Sequence, residues 1–341
     1  MVPLYSAIAL QPTFWALDRR EDVRRNLDHI NDCLELAVFF TSLELPVKLI
    51  ALPECVVMGL PSKGYSTEIP GPETDALGKK AQEIGCYLMA QLTARNAKVD
   101  RVFNTAIIIA PNGDIILRYH KINLFPREAL ASPHDIWDRW VEEYGDDLDA
   151  FFPVVDTSIG RLAAMVSVDR YYPEMSRGFA MNGAEVLCIP TAHEPFPSRG
   201  TYELQTRSRA LDNNCYVVSP NSGDYYPRQE SRAAVSIFGG HSMVVDFRGN
   251  VLADASAPGS TFAAAQIDIE AQRRFRAQTT FGNWLKDLRT EVYRKIYERP
   301  IMPVNAALDS PLSHDLKVRA EAVRASIERL LEAGIWQRPG S

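Results

Sequence analysis

Short apolar runs alternate with amphipathic stretches along the first part of the chain. A short apolar run bounded by turn residues predicts a buried strand, whereas apolar residues spaced three and four positions apart predict a helix. The predicted elements are a strand over 5–10, a helix over about 20–42, a strand VKLIALPE over 47–54, a helix over about 73–85 and a strand CYLMAQL over 86–92. Strands that alternate with helices in this way favour an α/β layer structure.

Two hairpins stand out further along the chain. In NTAIIIAPNGDIILRYHK (104–121) two apolar runs flank Pro-Asn-Gly-Asp, and HSMVVDFRGNVLADA (241–255) turns at Arg-Gly-Asn. Asn and Gly supply the positive φ angles that tight hairpin turns need. Between these hairpins the pattern predicts a strand pair in FFPVVDTSIGRLAAMVSVD, a helix from about 174, a strand AEVLCIP, a helix over 201–213 and a strand CYVVSPNSG.

No flexible linker divides the chain, so we expect one domain over residues 1–280 and a C-terminal tail over 281–341. The pattern of residues in the tail predicts a helix, then an extended segment interrupted by prolines, and then a last amphipathic helix that carries Val323, Ile327, Leu330 and Leu331. Because the tail holds aromatic residues but no catalytic cluster, we expect it to cover another subunit or the parent domain.

Composition narrows the class of protein. The chain has 341 residues, 46% of them hydrophobic and 23% charged, and a net charge of -6, which argues against nucleic acid as a partner. No apolar stretch is long enough for a membrane span, and the first residues do not resemble a signal peptide. The five cysteines are scattered, which favours reduced thiols of a cytoplasmic protein over disulfides or a metal site.

Candidate chemistry lies where three predicted strands end, because sites in α/β sheets collect at the carboxyl ends of strands. Glu54 follows LIALPE, Lys121 follows LRYHK, and Ser167, Asp169 and Arg170 follow RLAAMV. Each has a plain structural alternative. Glu54 could be solvated or cap a helix, Lys121 could extend to the surface, and Ser167 could cap a helix beside an Asp169–Arg170 ion pair.

Taken in order, these motifs resemble the nitrilase superfamily of carbon–nitrogen hydrolases over residues 1 to about 270. The resemblance rests on six segments: LIALPE, NTAIIIAPNGDIILRYHK, PVVDTSIGRLAAMVSVDRYYPE, GFAMNGAEVLCIPTA, RSRALDNNCYVVSPNSG and FGGHSMVVDFRGNVLADA. It implies an α/β fold, a four-layer α-β-β-α sandwich that packs as a homodimer or higher homo-oligomer. It also implies a site without a metal or an organic cofactor.

The resemblance assigns a role to each strand end. Glu54 would move protons, position 167 would carry the nucleophile, and Lys121 with the backbone N–H after position 167 would stabilise the oxyanion. The family has a cysteine where this chain has Ser167. An alcohol ionises far less readily than a thiol, so Ser167 should be slow by orders of magnitude. Because the other motifs are intact, we favour a Cys-to-Ser exchange that lets substrate bind without turnover; a natural serine variant is the alternative.

Many amidases of this type use a second carboxylate beside the lysine. Four acidic residues lie between the lysine and nucleophile motifs, namely Glu128, Asp138, Glu142 and Glu143. We select Glu142 from these, with a solvated helix charge as the alternative for all four.

The residues after position 167 bear on the substrate. Ser-Val-Asp-Arg-Tyr-Tyr-Pro-Glu is closer to the amidase and carbamoylase branches than to nitrilases, which follow the nucleophile with an aromatic residue and Glu. Arg170 would hold a substrate carboxylate through a bidentate contact, with a structural ion pair as the alternative. Tyr171, His193 and Phe196 would shape specificity, with packing as the alternative.

The sequence therefore predicts an amidohydrolase that cleaves a linear amide or N-carbamoyl C–N bond through an acyl-enzyme and releases ammonia or an amine. The present chain would be its inactive or slowed form. Two alternatives stay open: a nitrilase that converts a nitrile to acid and ammonia, and a non-catalytic binding module. The expected partner is the small-molecule substrate, without nucleic acid or membrane.

Overall fold

The computed structural model describes residues 1–60, 64–192, 200–279, 281–310 and 316–340. The strands in that part of the chain are β1 (Tyr5–Gln11), β2 (Phe14–Trp15), β3 (Val47–Ala51), β4 (Thr67–Glu68), β5 (Tyr87–Asn96), β6 (Arg101–Ile109), β7 (Ile115–His120), β8 (Val155–Thr157), β9 (Gly160–Ala164), β10 (Val186–Cys188), β11 (Tyr216–Ser219), β12 (Tyr225–Tyr226), β13 (Ser242–Val245), β14 (Val251–Ala255) and β15 (Thr261–Ile267). The α-helices are α1 (Val23–Thr41), α2 (Pro72–Ile84), α3 (Trp137–Tyr144), α4 (Leu148–Phe151), α5 (Pro173–Met181), α6 (Thr201–Asn213), α7 (Ile269–Arg276), α8 (Thr290–Tyr293) and α9 (Leu316–Glu332).

The first sheet has the strand order β15-β1-β3-β5-β6-β7, and β4 pairs with the far end of β5. Its centre is parallel, because β1, β3 and β5 run in one direction, while β15, β6 and β7 add antiparallel edges. The predicted hairpin of β6 and β7 is confirmed, with Gly113 at φ +88° in its turn. The parallel centre brings the carboxyl ends of three strands to one edge, and Glu54 follows β3 there.

The second sheet has the strand order β14-β13-β11-β10-β9-β8. Here β9, β10 and β11 are parallel, and the predicted hairpin of β13 and β14 forms one antiparallel edge. The carboxyl end of β9 leads through Met165 and Val166 into a 3-10 turn over Ser167–Tyr171.

Residues that alternate along β1 show how the layers pack. Ala7 and Ala9 belong to the core between the two sheets, whereas Ile8 and Leu10 belong to the core under α1 and α2. Both faces of β1 are therefore buried, as expected for a strand covered by a sheet on one side and helices on the other. Helices α5 and α6 cover the outer face of the second sheet. The four-layer α-β-β-α sandwich is confirmed.

The C-terminal tail differs in part from its prediction. Where the sequence predicts the first helix of the tail, the structure has a series of single turns, namely two 3-10 turns (Trp284–Asp287 and Arg294–Tyr297) and α8 between them. Most of these residues are exposed, so this stretch lacks the buried stripe that stabilises helices of this length. The last amphipathic helix is present as α9. None of the helices in the described ranges is long and apolar enough to cross a membrane.

Candidate active site

Glu54 lies three residues after β3, at the edge where the parallel strands of the first sheet end. Its backbone carbonyl accepts a hydrogen bond from Ser222 Oγ at 3.1 Å, and the next backbone N–H, that of Cys55, donates to Gln91 Oε1 at 2.8 Å. The carboxylate is almost fully buried, and its Oε1 accepts from Lys121 Nζ at 2.9 Å and from Asn104 Nδ2 at 2.8 Å. These contacts leave Oε2 without a donor among the described residues.

Lys121 follows β7 directly, and its backbone N–H donates to Asn104 O at 2.9 Å. The side chain is only 1% exposed. Its Nζ donates to Glu54 Oε1 at 2.9 Å and to Glu128 Oε2 at 2.8 Å, so a buried ammonium group lies between two carboxylates.

Glu128 completes this cluster from the loop after β7. Its Oε1 accepts from Asn104 Nδ2 at 2.6 Å, and its Oε2 accepts from the Phe125 backbone N–H at 2.7 Å as well as from Lys121. Asn104, on β6, thus donates to both carboxylates, while Gln91 on β5 donates to Asn104 Oδ1 at 2.8 Å and fixes the orientation of its amide. The cluster is held by neighbouring strands of one sheet.

The charges in the cluster perturb one another. Burial alone would lower the pKa of Lys121, but the attraction of Glu128 and Glu54 outweighs it and raises that pKa above its usual value. Burial opposes ionisation of Glu128, yet Lys121 and the donated hydrogen bonds lower its pKa. Lys121 is therefore a fixed positive charge, and the three groups together carry a net charge of -1 when both carboxylates are ionised.

Ser167 comes from the second sheet and faces the same pocket. It has φ +49°, a backbone conformation that costs a non-glycine residue about 1–2 kcal/mol. The Ser167 N–H donates to Pro190 O at 2.9 Å, which links the turn to the end of β10. Such a strained turn after a strand presents a side chain to the pocket, as a nucleophile position requires.

Asp169 holds this turn in place. It is fully buried and accepts four hydrogen bonds, from Tyr119 Oη at 2.7 Å, from the Asn123 backbone N–H at 2.8 Å and side-chain Nδ2 at 3.1 Å, and from the Val166 N–H at 3.2 Å. Burial raises the pKa of Asp169 to about 6 despite these donors. Asp169 therefore joins the turn of the second sheet to the loop that follows Lys121.

These groups surround one pocket of about 370 Å³. The polar residues that line it are Glu54, Gln91, Thr93, Asn104, Lys121, Arg127, Glu128, Ser167 and Tyr171. The apolar ones are Cys55, Leu60, Phe125, Val168, Ala192 and Phe238. A pocket of this volume suits a small molecule. In the ranges that the structure describes, no group of three or more His, Cys, Asp or Glu side chains could hold a metal ion.

The structure separates the remaining predicted site residues. Tyr171 lines the pocket, whereas His193 and Phe196 lie outside the described residues. Arg170 does not line it: the side chain is buried behind the turn, where it donates to Thr191 Oγ1 at 3.0 Å and lies over the Tyr202 ring at 4.8 Å. The predicted carboxylate contact of Arg170 is thus replaced by structural contacts.

Glu142, which the sequence analysis selected as the second carboxylate, lies away from the cluster. It is an exposed residue of α3 and does not line the pocket, so the second carboxylate of the cluster is Glu128. The sequence offered Glu128 as one of four candidates, but nothing in its pattern distinguished it from the others. Asn104 and Gln91 were missed, although both are polar residues inside otherwise apolar strands. Arg127 was missed because it lies in a loop without periodicity.

Fold and site together define the class of protein as an α/β sandwich whose pocket holds a buried lysine between two carboxylates. Among protein families, the family described as carbon-nitrogen hydrolase matches residues 6–277. The chain therefore belongs to this family, the nitrilase superfamily.

Curated relatives and solved structures agree with this membership. The chain is 28% identical over 283 residues to a deaminated glutathione amidase of Synechocystis, covering 80% of this chain and 95% of the relative. It is 29% identical over 243 residues to omega-amidase NIT2-B of Xenopus laevis, covering 70% of this chain and 83% of the relative. A carbon-nitrogen hydrolase from Helicobacter pylori has the same fold, with a TM-score of 0.66 at 23% identity, covering 87% of this chain and 99% of that chain. Nit3 of Saccharomyces cerevisiae matches with a TM-score of 0.65 at 24% identity, covering 81% of this chain and 96% of that chain.

Proposed function

We propose that the chain is an amidase-type carbon–nitrogen hydrolase whose nucleophile position is occupied by Ser167, which makes it a slow or inactive form. The observation that carries the proposal is the buried Lys121 between Glu54 and Glu128, next to a pocket that Ser167 also lines. The names of the curated relatives, a deaminated glutathione amidase and an omega-amidase, support an amide as the substrate.

The geometry supports a division of labour for amide hydrolysis. Glu54 Oε2 accepts the proton of the nucleophile at position 167, which attacks the amide carbon. Lys121 Nζ and the Val168 N–H stabilise the oxygen that becomes negative. The C–N bond then breaks, and the amine leaves with the proton that Glu54 held, which gives an acyl-enzyme. A water molecule, deprotonated by Glu54, attacks the acyl carbon, releases the acid and returns the proton to position 167.

Glu128 has a different task in this proposal. Both of its oxygens already accept hydrogen bonds, from Lys121, Asn104 and Phe125, whereas Glu54 Oε2 accepts none from the described residues. Glu128 therefore holds the ammonium group of Lys121 in the orientation that the developing oxyanion needs, while Glu54 moves the protons.

Arg127 extends the proposal to the class of substrate. Of the cations that line the pocket in the described part of the chain, Lys121 is paired with carboxylates, whereas Arg127 makes no hydrogen bond or ion pair with described residues. A guanidinium group binds a carboxylate in bidentate fashion. The substrate is thus a linear amide or N-carbamoyl compound that carries a carboxylate at its far end, with the amide directed to Lys121.

The exposed apolar side chains of the tail support a homodimer. Val292, Ile296 and Tyr297 are 62%, 65% and 59% exposed, and a second copy of the chain would cover them. Light scattering at micromolar concentration tests this, and a monodisperse monomer would contradict it.

The decisive experiment for the activity is Ser167→Cys. Ammonia release is measured from a panel of amides, N-carbamoyl acids and nitriles, with the unaltered chain alongside. Ser42→Cys, at an exposed position on the end of α1, serves as the matched control for an added thiol. We expect turnover of amides by S167C alone, and turnover of terminal amides with a carboxylate above that of their uncharged analogues.

Other outcomes would each overturn part of the proposal. Hydrolysis of nitriles but not of the corresponding amides would indicate a nitrilase. Equal activity of the unaltered chain would make serine a competent nucleophile, provided that Cys55→Ala, which removes the thiol that also lines the pocket, keeps the activity. No turnover by either form on the whole panel would favour a non-catalytic binding module.

A further inference from the structure

The loop that brings Glu128 to Lys121 has little regular structure of its own. It contains a turn in which the Glu128 N–H donates to Phe125 O at 2.9 Å, and Ser132 Oγ closes its base on Ile122 O at 2.7 Å. On the inner side Asn123 is held by Asp169. The outer side of the loop carries backbone carbonyls that a strand or helix would otherwise satisfy.

Those carbonyls are bound by a residue nearly two hundred positions away. Arg319, on α9, donates from Nη1 to Phe125 O at 3.1 Å and to Glu128 O, and from Nη2 to Leu130 O at 3.0 Å. Its side chain is 12% exposed, and Asp135 Oδ2 lies 3.9 Å from Nη2. A planar guanidinium that reaches three carbonyls fixes the path of the backbone on both sides of Glu128.

Helix α9 is itself anchored to the chain. Ser326 Oγ donates to Ala322 O within the helix and contacts Met302 Sδ, and Arg329 Nη1 donates to Ile301 O at 3.1 Å. The neighbouring part of the tail contacts the start of β6, where Arg101 Nη2 donates to Leu308 O at 2.7 Å. Arg319 therefore projects from a supported helix and not from a free end.

We propose that Arg319 is a positioning residue, which makes the C-terminal helix a working part of the active site although it lies beyond the family match at 6–277. By holding the carbonyls of Phe125, Glu128 and Leu130, it keeps the Glu128 carboxylate on Lys121. Loss of this contact lets the loop open, and Lys121 then loses one of its two carboxylate partners.

Hydrogen exchange tests the positioning role without any activity. In Arg319→Gln, we expect amides in peptides covering 122–132 to exchange about tenfold faster or more, while peptides from β6 stay unchanged. Arg324→Gln makes the same chemical change at an exposed position of the same helix and should alter neither. Arg319→Lys should recover part of the protection, because an ammonium group can still donate to two carbonyls. Unchanged exchange of 122–132 in R319Q would overturn the proposal.

The kinetic arm rests on the proposed function and uses the S167C background. With Glu128 displaced, the pKa of Lys121 falls, so the alkaline limb of the pH–rate profile should move to lower pH in R319Q and not in R324Q. If R319Q only destabilised the protein, its rate would fall at every pH while the alkaline limb of the profile stayed at the same pH. That result would contradict the positioning role. If S167C has no activity on any substrate, the proposed function fails, whereas the exchange experiment still decides the role of Arg319.

Discussion

Replacing Glu128 by glutamine tests the buried cluster most directly, because the change keeps the shape of the side chain and removes only its charge and one acceptor. Three donors point at its two oxygens: Asn104 Nδ2 at Oε1, and Phe125 N–H and Lys121 Nζ at Oε2. In Glu128→Gln the new amide NH₂ must face at least one of these donors. Whichever way the amide turns, a buried N–H of Asn104 or of Phe125 loses its acceptor, although Asn104 Nδ2 and Lys121 Nζ each keep Glu54 Oε1.

The magnitude follows from these contacts. Breaking a buried ion pair by removing one partner costs about 3–5 kcal/mol, and an unsatisfied buried donor costs about 1–3 kcal/mol. Lys121 keeps Glu54 as its second partner, so the lower end applies, and we expect a loss of about 3 kcal/mol. For a protein of this size that corresponds to a fall in Tm of about 6 °C, at about 2 °C per kcal/mol.

The assay is thermal unfolding of the chain as it stands, with Glu142→Gln as the matched control. Glu142 is exposed on α3, and surface changes stay within about 0.5 kcal/mol, so its Tm should move by about 1 °C or less. In the S167C background E128Q should also lower kcat by about a hundredfold, whereas E142Q should not. An E128Q protein as stable and as active as its parent would refute the account of the cluster, and an equal loss in E142Q would refute its assignment to Glu128.

Three further predictions concern separate parts of the molecule. Burial lowers the pKa of His120 to about 3, so the buried neutral ring contributes stability above pH about 6.5, and this stability is lost as the pH falls, at up to about 1.4 kcal/mol per pH unit. In His120→Asn the denaturation midpoint should therefore fall less steeply between pH 6.5 and 4.5 than in the parent protein. An equally steep fall in both proteins would contradict this. Gly223→Ala would place a Cβ 2.6 Å from Gly259 O, so we expect a loss of about 1–3 kcal/mol in chemical unfolding, and a neutral result would show that the two loops can separate. In the S167C background Arg127→Gln should raise KM for an amide with a terminal carboxylate about tenfold or more and leave an uncharged amide of equal length unaffected; equal changes for both would remove Arg127 from substrate binding.

The sequence was a good guide to the sheets because their central strands are largely buried on both faces. A short apolar run such as the one in β3 has few structures open to it other than a buried strand. The Asn-Gly turn between β6 and β7 sets its φ angles by local chemistry alone. The same local pattern singled out Glu54, Lys121 and Ser167, since each comes within three residues of the end of a strand. The parallel centre of each sheet then determines that these strand ends meet.

Other features depend on contacts between distant residues, so no local pattern could reveal them. Glu128 reaches Lys121 because its loop is held by Asp169 on one side and by Arg319 on the other, far away in sequence. Glu142 has equally favourable chemistry but lies on the exposed face of α3. Arg170 follows a strand end as Glu54 does, yet its turn directs the side chain away from the pocket, a direction that spacing does not encode.

The electrostatics of the cluster explain why the identity of residue 167 matters so much. A proton passing from a thiol of pKa about 8.5 to a carboxylate of pKa about 4.3 moves uphill by about 6 kcal/mol. For an alcohol, with a pKa near that of water at about 15.7, the same transfer costs about 15 kcal/mol. In the proposed mechanism Lys121 and the Val168 N–H stabilise the oxyanion equally for either nucleophile, so they cannot make up the difference. The cluster therefore favours a thiol as the nucleophile, so introducing one at position 167 should need no second substitution to produce turnover.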